Sequence, residues 1–295
     1  MTLTKDEPAE AGPLLDAPPE APKPDAQRSI GAIIGSSLRL VRQNRRQTLL
    51  PLAVTMMPFI WFAAIAEFVL LNNVYTDSPY DSIAAVIEKA PPGLQATLAG
   101  VSWILALFSL VGFAATIVAV RGVMEGRKVP LAQALDPAFT RMGGLFALGA
   151  IAFALWMLAA LLAVTVIGTA FVLFVMLRLS LSVHAFMLEG TRVLDSCRVT
   201  WRLARGHMFR VLGLFLATLP IGLIAVFCAL IAAVIVTIPF APASPGRQGT
   251  LVIGALGVSV AGIVLVPFVA FVAAATTMLY TELRGHDHAG PGTRN

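Results

Sequence analysis

Charge is scarce in this 295-residue chain. Asp, Glu, Lys and Arg make up 13% of it against 58% hydrophobic residues, where soluble domains carry roughly 25% charged residues. That balance, with a mean hydropathy of +0.84, excludes water as the main solvent. Cysteine is nearly absent: Cys197 and Cys228 are too few for a disulfide framework and read as reduced, inert thiols. Histidine is sparse too, at four residues. His184 and His207 have no Cys, Ser or carboxylate at a relay spacing. His286-Asp287-His288 lacks the further ligands a closed metal site needs. No catalytic residue, metal or cofactor is therefore expected, and the chain reads as a non-enzyme. An enzyme acting on lipid headgroups would need paired carboxylates, a His cluster or a nucleophile.

The N-terminus also lacks the basic start, apolar core and small-residue cleavage site of a signal peptide. Residues 1–27 carry a net −4 and six prolines, and read as a disordered acidic tail on the cytoplasmic side. The rest of the chain carries +9 within a total of +5. On an apolar protein such charge faces anionic lipid from cytoplasmic loops, so no nucleic-acid partner is expected.

What is abundant is long uncharged sequence. A crossing takes roughly 20 apolar residues, from a 1.5 Å rise and a core about 30 Å thick. Uncharged runs cover residues 47–66, 90–120, 142–177, 211–246 and 248–281. With ten further residues after Arg178, the third would be about twice the bilayer thickness as one helix, so it turns back near Gly168. These runs predict an all-α, polytopic membrane bundle with six transmembrane helices near 49–71, 94–120, 143–163, 168–188, 211–238 and 251–280. The membrane domain covers 28–284, and 285–295 form a flexible tail. If the N-terminus is cytoplasmic, only Lys89 and Arg247 face outward and Arg178 lies in a span, which leaves 18 of the 21 Lys and Arg inside. That bias puts both termini in the cytoplasm.

Ahead of the first span, Ile30, Ile33, Ile34, Ser37, Leu38 and Val41 recur at helical spacing beside Arg39, Arg42 and Arg46. Ahead of the fifth, Leu194, Cys197, Trp201, Ala204 and Met208 do so beside Arg198, Arg202 and Arg205. Both read as cytoplasmic interfacial helices, with Trp201 anchored at headgroup depth and Arg39, Arg42, Arg198, Arg202 and Arg205 offered to anionic lipid or a partner. They also align in sequence, Ser37-Leu38-Arg39-Leu40-Val41-Arg42 against Thr200-Trp201-Arg202-Leu203-Ala204-Arg205. A weaker third copy lies in 131–142, so a three-fold repeat of one interfacial helix plus two spans is expected.

Arg178 is the one basic residue inside a span. About ten residues beyond the Gly168 turn, it is expected near the midplane, where a charge needs a partner. Glu67 is the only acidic residue in any span and the expected partner, with His184, Asn72 and Asn73 as secondary polar candidates.

Arg178, Leu188-Glu189-Gly190 and Thr200-Trp201-Arg202-Leu203-Ala204-Arg205-Gly206 together make a pattern. With Leu50-Pro51-Leu52 and Leu279-Tyr280-Thr281-Glu282-Leu283-Arg284, it resembles the bacterial membrane domain that precedes glycerophosphodiester phosphodiesterase catalytic domains and also stands alone. Ala204, where such proteins often carry Ser or Thr, and Ile167-Gly168, where Pro-Gly is common, depart from it. The resemblance implies a stand-alone six-helix membrane protein. It does not carry over the hydrolase chemistry, which belongs to a (β/α)8 barrel needing roughly 250 residues of its own. Two functions follow as expectations. The leading one is a non-enzymatic protein of the inner membrane that organises the envelope or holds a lipid or protein partner. The alternative is a small-molecule or lipid transporter that uses Arg178, with Pro58, Pro220 and Pro267 as breaks in its spans.

Overall fold

The structure is a computed structural model and describes residues 28–74, 91–162, 166–237 and 247–288. The acidic segment expected to be disordered, the Gly168-proximal residues 163–165, the loops carrying Lys89 and Pro239, and residues 289–295 lie outside that description. The described residues are helical throughout, without strands. Helix α1 spans Ile30–Gln43, α2 Arg45–Val74, α3 Pro92–Met124, α4 Leu131–Thr140 and α5 Met142–Leu162. Helix α6 spans Val166–Leu179, α7 Ser182–Glu189, α8 Val193–Thr237 and α9 Arg247–His288. Among the described residues, stretches of α3, α5, α8 and α9 are long and apolar enough to cross a membrane.

Local chemistry sets the helix ends. Ser29 caps α1 by accepting from the Ala32 amide at 3.2 Å. Gly190 ends α7 in the left-handed region (φ 68°), which glycine enters without strain. In α8, His207 departs from helical geometry (φ −130°, ψ 24°) and separates the amphipathic stretch from the apolar one, where sequence placed the interface.

Three expectations change. Residues 168–188 are not one helix: α6 stops at Leu179, Leu181 sits at φ −89°, ψ 0°, and the Ser180 hydroxyl donates to the Leu177 carbonyl at 2.7 Å. With 14 residues, α6 alone is about 21 Å long, and α7 extends the segment beyond it. The region 285–288, expected in a flexible tail, continues α9. The face that the α8 amphipathic stretch turns to the bundle shares only Ala204 fully with the apolar face read from sequence. Ser196, Thr200, Leu203 and Ala204 are buried while Leu194 is exposed. The reason is that Ser196 and Thr200 return their hydroxyls to their own helix, to the carbonyls of Val193 (2.7 Å) and Ser196 (2.8 Å). Satisfied in this way, they present small faces on which neighbouring helices close.

The matched pair of amphipathic segments shares a burial pattern. Ser37 and Thr200 are both fully buried and both back-bonded one turn earlier, Val41 and Ala204 are buried, and Arg39, Arg42, Arg202 and Arg205 are exposed. In α4, Ala134 and Ala138 are buried at the same four-residue spacing.

Packing is uneven along the bundle. Helix α9 lies along α8 and α2, α2 lies along α3, and α1 rests on α9. Where α2 crosses α3, Gly112 brings its backbone so near Thr55 that a Cβ there would meet the hydroxyl oxygen at 1.7 Å. Three buried clusters gather toward the end of the bundle that carries the arginines. One joins α1, α7, α8 and α9 around Leu181, Leu214 and Leu279, one joins α3, α4, α5 and α7 around Val111 and Phe186, and one joins α1, α2, α3 and α9 around Leu52. Toward the opposite end the side chains are apolar and uncovered: Leu223 is 64% exposed and Phe227 65%, with Trp61, Trp156 and Leu161 alike. Surface of that kind and extent needs an apolar solvent.

Candidate functional site

The arginine-bearing end is where polar groups converge. Helix α7 ends there with Glu189, whose carboxylate is gripped from α9. Tyr280 donates its hydroxyl to Oε1, and Arg284 adds a fork through Nε to Oε1 (2.9 Å) and Nη2 to Oε2 (3.0 Å). A second tie joins three elements. Arg210 Nη2 on α8 meets Glu282 Oε1 on α9 at 2.8 Å and donates to the Arg28 carbonyl at 2.6 Å, while Glu282 also accepts the Arg28 amide at 3.0 Å. The Arg210 and Glu282 side chains are 17% and 16% exposed, dry enough for the pair to hold geometry. A third tie runs from Arg141 Nη1 at the start of α5 to the Phe186 carbonyl in the last turn of α7 (2.9 Å), where a cation suits the negative end of the helix.

Beside the first of these ties opens a polar cavity of about 760 Å³, lined by Arg121, Glu125, Arg127, Glu189, Tyr280 and Arg284. Arg121 and Arg127 both hydrogen-bond Glu125, and those bonds, Arg127 first, hold its carboxyl below the usual carboxylate range against a modest opposing effect of burial. Each carboxylate of the cavity thus already serves two donor residues. Among the described residues no three His, Cys, Asp or Glu side chains are grouped to hold a metal.

The intramembrane candidates separate. His184 is fully buried, with Nε2 3.0 Å from Thr276 Oγ1 and its ring stacked on Tyr280 and edge-on to Phe113. The Thr276 hydroxyl donates to the Val272 carbonyl at 2.7 Å, so the imidazole N–H is the donor of that pair. This places His184 as a packing group that joins α7 to α9. Arg178 is not stranded alone. Its guanidinium lies over Phe174 at 4.4 Å and over Trp201 at 4.5 Å, between α6 and the amphipathic stretch of α8. It therefore shares the depth of Trp201, the residue expected at the interface. The ten residues counted from Gly168 to Arg178 all lie within α6, and the turn at Ser180 comes after them. The Arg178 Nε is buried without a hydrogen-bond partner. Glu67, Asn72 and Asn73 lie in α2, but their side chains are outside the described residues, as is the proposed Glu67–Arg178 pair.

The ring contacts predict a measurable effect. Arg178→Lys keeps the charge and loses the flat face, and lowers stability by about 1 kcal/mol; Trp201→Ala removes one ring and costs about 2 kcal/mol. Unfolding in detergent, followed by near-UV circular dichroism, reads both. A Trp201→Ala loss below about 0.5 kcal/mol would remove the contact from the account.

No family model matches the chain, and neither a curated protein nor a solved structure is found similar to it. The geometry alone therefore carries the functional reading. Of the sequence candidates, the structure brings Arg178 and Trp201 together, leaves Arg39, Arg42, Arg198, Arg202 and Arg205 on exposed faces, and buries His184 elsewhere. The residues sequence reasoning did not single out as a site are Glu189, Tyr280, Arg284, Arg210 and Glu282. Their signal was present: Leu188-Glu189-Gly190 and Leu279-to-Arg284 are two of the segments that carry the family resemblance, and they meet in space.

Proposed function

We propose that this is an inner-membrane protein that crosses the bilayer six times with both termini cytoplasmic and works without catalysis. It organises the envelope by holding anionic lipid or a protein partner at its basic cytoplasmic face. The observation that carries the reading is the two-sidedness of α1 and of the amphipathic stretch of α8. Ile33, Ser37 and Val41, and likewise Thr200, Leu203 and Ala204, are packed inward, while the arginines beside them face out. A buried inner face fixes such a helix to the body and leaves its cations as a standing surface for headgroups. The shared burial of the two segments supports duplication of one interfacial helix with its spans, and the resemblance to the phosphodiesterase-associated membrane domain fits the same plan.

The transporter reading has less support. Arg178 is occupied by two rings and lines none of the cavities described.

The test replaces Arg39, Arg42, Arg202 and Arg205 by Gln and measures the phospholipids and proteins that co-purify from native membranes. Each cation near an anionic surface contributes about 1 kcal/mol, so the ratio of phosphatidylglycerol to phosphatidylethanolamine falls at least about threefold, with loss of any partner held there. An unchanged lipid ratio and protein set would sink the proposal.

A further inference from the structure

A second cavity, of about 380 Å³, lies among five helices, away from the polar one, and its size falls in the range of roughly 300–1,000 Å³ typical of ligand sites. Its long wall is α5, from Leu145 through Leu148 and Ala152 to Leu155, faced by Leu177 of α6 and Phe215 of α8. The Ser180 hydroxyl on its lining already donates to Leu177. Water needs two to four polar partners to stay, and this lining offers few. An empty space of this size forfeits dispersion contacts on every side.

Its length points to an occupant. Leu145 and Leu155 are ten residues apart, about 15 Å along the helix, half of a hydrocarbon core about 30 Å thick. That is the depth of one leaflet. Charge marks its headgroup end. Arg141, whose Nη1 also holds the Phe186 carbonyl, precedes Leu145 by one turn, and Arg198, exposed, follows the lining residue Cys197 on α8; Asp195 approaches Arg198 at 3.7 Å, with both side chains half or more exposed. Arg178 takes no part, because Met176, Leu177, Leu179 and Ser180 line the cavity and it projects from the other side of α6 onto Trp201.

We infer that this cavity holds one acyl chain of an anionic glycerophospholipid of the cytoplasmic leaflet, with its phosphate beside Arg141 and Arg198. The inference rests on the membrane reading above and names the ligand of a site that shares only Arg198 with the exposed arginine faces.

The full chain is purified in mild detergent and mixed with dioleoyl phosphatidylglycerol, phosphatidylethanolamine or diacylglycerol, and retained lipid is counted by native mass spectrometry. Wild type keeps one phosphatidylglycerol. Ala152→Phe, which fills the cavity, lowers that retention at least about fivefold. Arg198→Gln lowers the preference for phosphatidylglycerol over phosphatidylethanolamine about fivefold and leaves the chain site in place. Should Ala152→Phe perturb folding, Cys197 reports on the native protein: in a Cys228→Ser background, phosphatidylglycerol slows its alkylation by N-ethylmaleimide. Equal retention by wild type and Ala152→Phe, equal retention of diacylglycerol, or an alkylation rate indifferent to lipid would each overturn the inference. Loss of the co-purification effect above, with one lipid still retained here, would fault the organiser reading alone.

Discussion

Replacing Glu189 by Ala lowers the unfolding free energy of the purified protein by about 3 kcal/mol, the lower end of what breaking a buried ion pair costs. The side chain accepts the Tyr280 hydroxyl and both arms of the Arg284 fork. Its removal takes the forked carboxylate from a largely enclosed cation and the acceptor from a buried phenol. The glutamate and arginine side chains are 18% and 25% exposed, which admits some water and keeps the loss from the top of that range. Glu189→Gln retains one acceptor for Tyr280 and falls between the parent and the alanine variant. A cycle of Glu189→Ala with Tyr280→Phe gives a coupling of about 1 kcal/mol, since the two act as a unit. Thermal and denaturant unfolding in detergent measure all three. A Glu189→Ala loss below about 1 kcal/mol would show the clamp to be incidental to the fold.

The second large effect comes from adding atoms. At Gly112 a Cβ would sit 1.7 Å from Thr55 Oγ1, 2.8 Å from Thr55 Cβ and 3.3 Å from the Pro51 carbonyl oxygen. The Thr55 hydroxyl is held by that same carbonyl at 2.9 Å, so it has no easy direction in which to retreat. Gly112→Ala is therefore expected to cost about 2 kcal/mol, and Gly112→Leu about 3 kcal/mol or more as α2 and α3 are forced apart. The partner residue supplies the control. Thr55→Ala relieves the oxygen clash but not the Cβ clash and rescues Gly112→Ala in part, whereas Thr55→Gly rescues it further. Failure of either Thr55 change to restore stability would place the close approach elsewhere.

Much of the architecture was readable as solvent preference. Uncharged runs located helices, and the apolar stripes of residues 30–41 and 194–208 located amphipathic segments that the structure sets on the bundle. The matched six-residue pieces were legible too, and Ser37 and Thr200 share full burial. What sequence hid were pairings across long separations. Glu189 meets residues 91 and 95 positions later, and no periodicity announces that. The Trp201 ring that meets the Arg178 guanidinium was hidden in the same way, since it lies 23 positions later on another helix. The inward face of α8 was missed because hydrophobicity ranks Leu194 above Ser196 and Thr200, whereas close packing favours the small side chains that satisfy themselves.

The gathering of buried clusters toward one end has a consequence for life in bilayers of unequal thickness. Helices clamped at the base and loose at the far end meet hydrophobic mismatch by changing tilt above the clamp, at a cost of fractions of a kcal/mol per Å. Thin and thick membranes would therefore reshape the half of the bundle away from the arginines and leave the arrangement of Glu189, Tyr280 and Arg284 as it is.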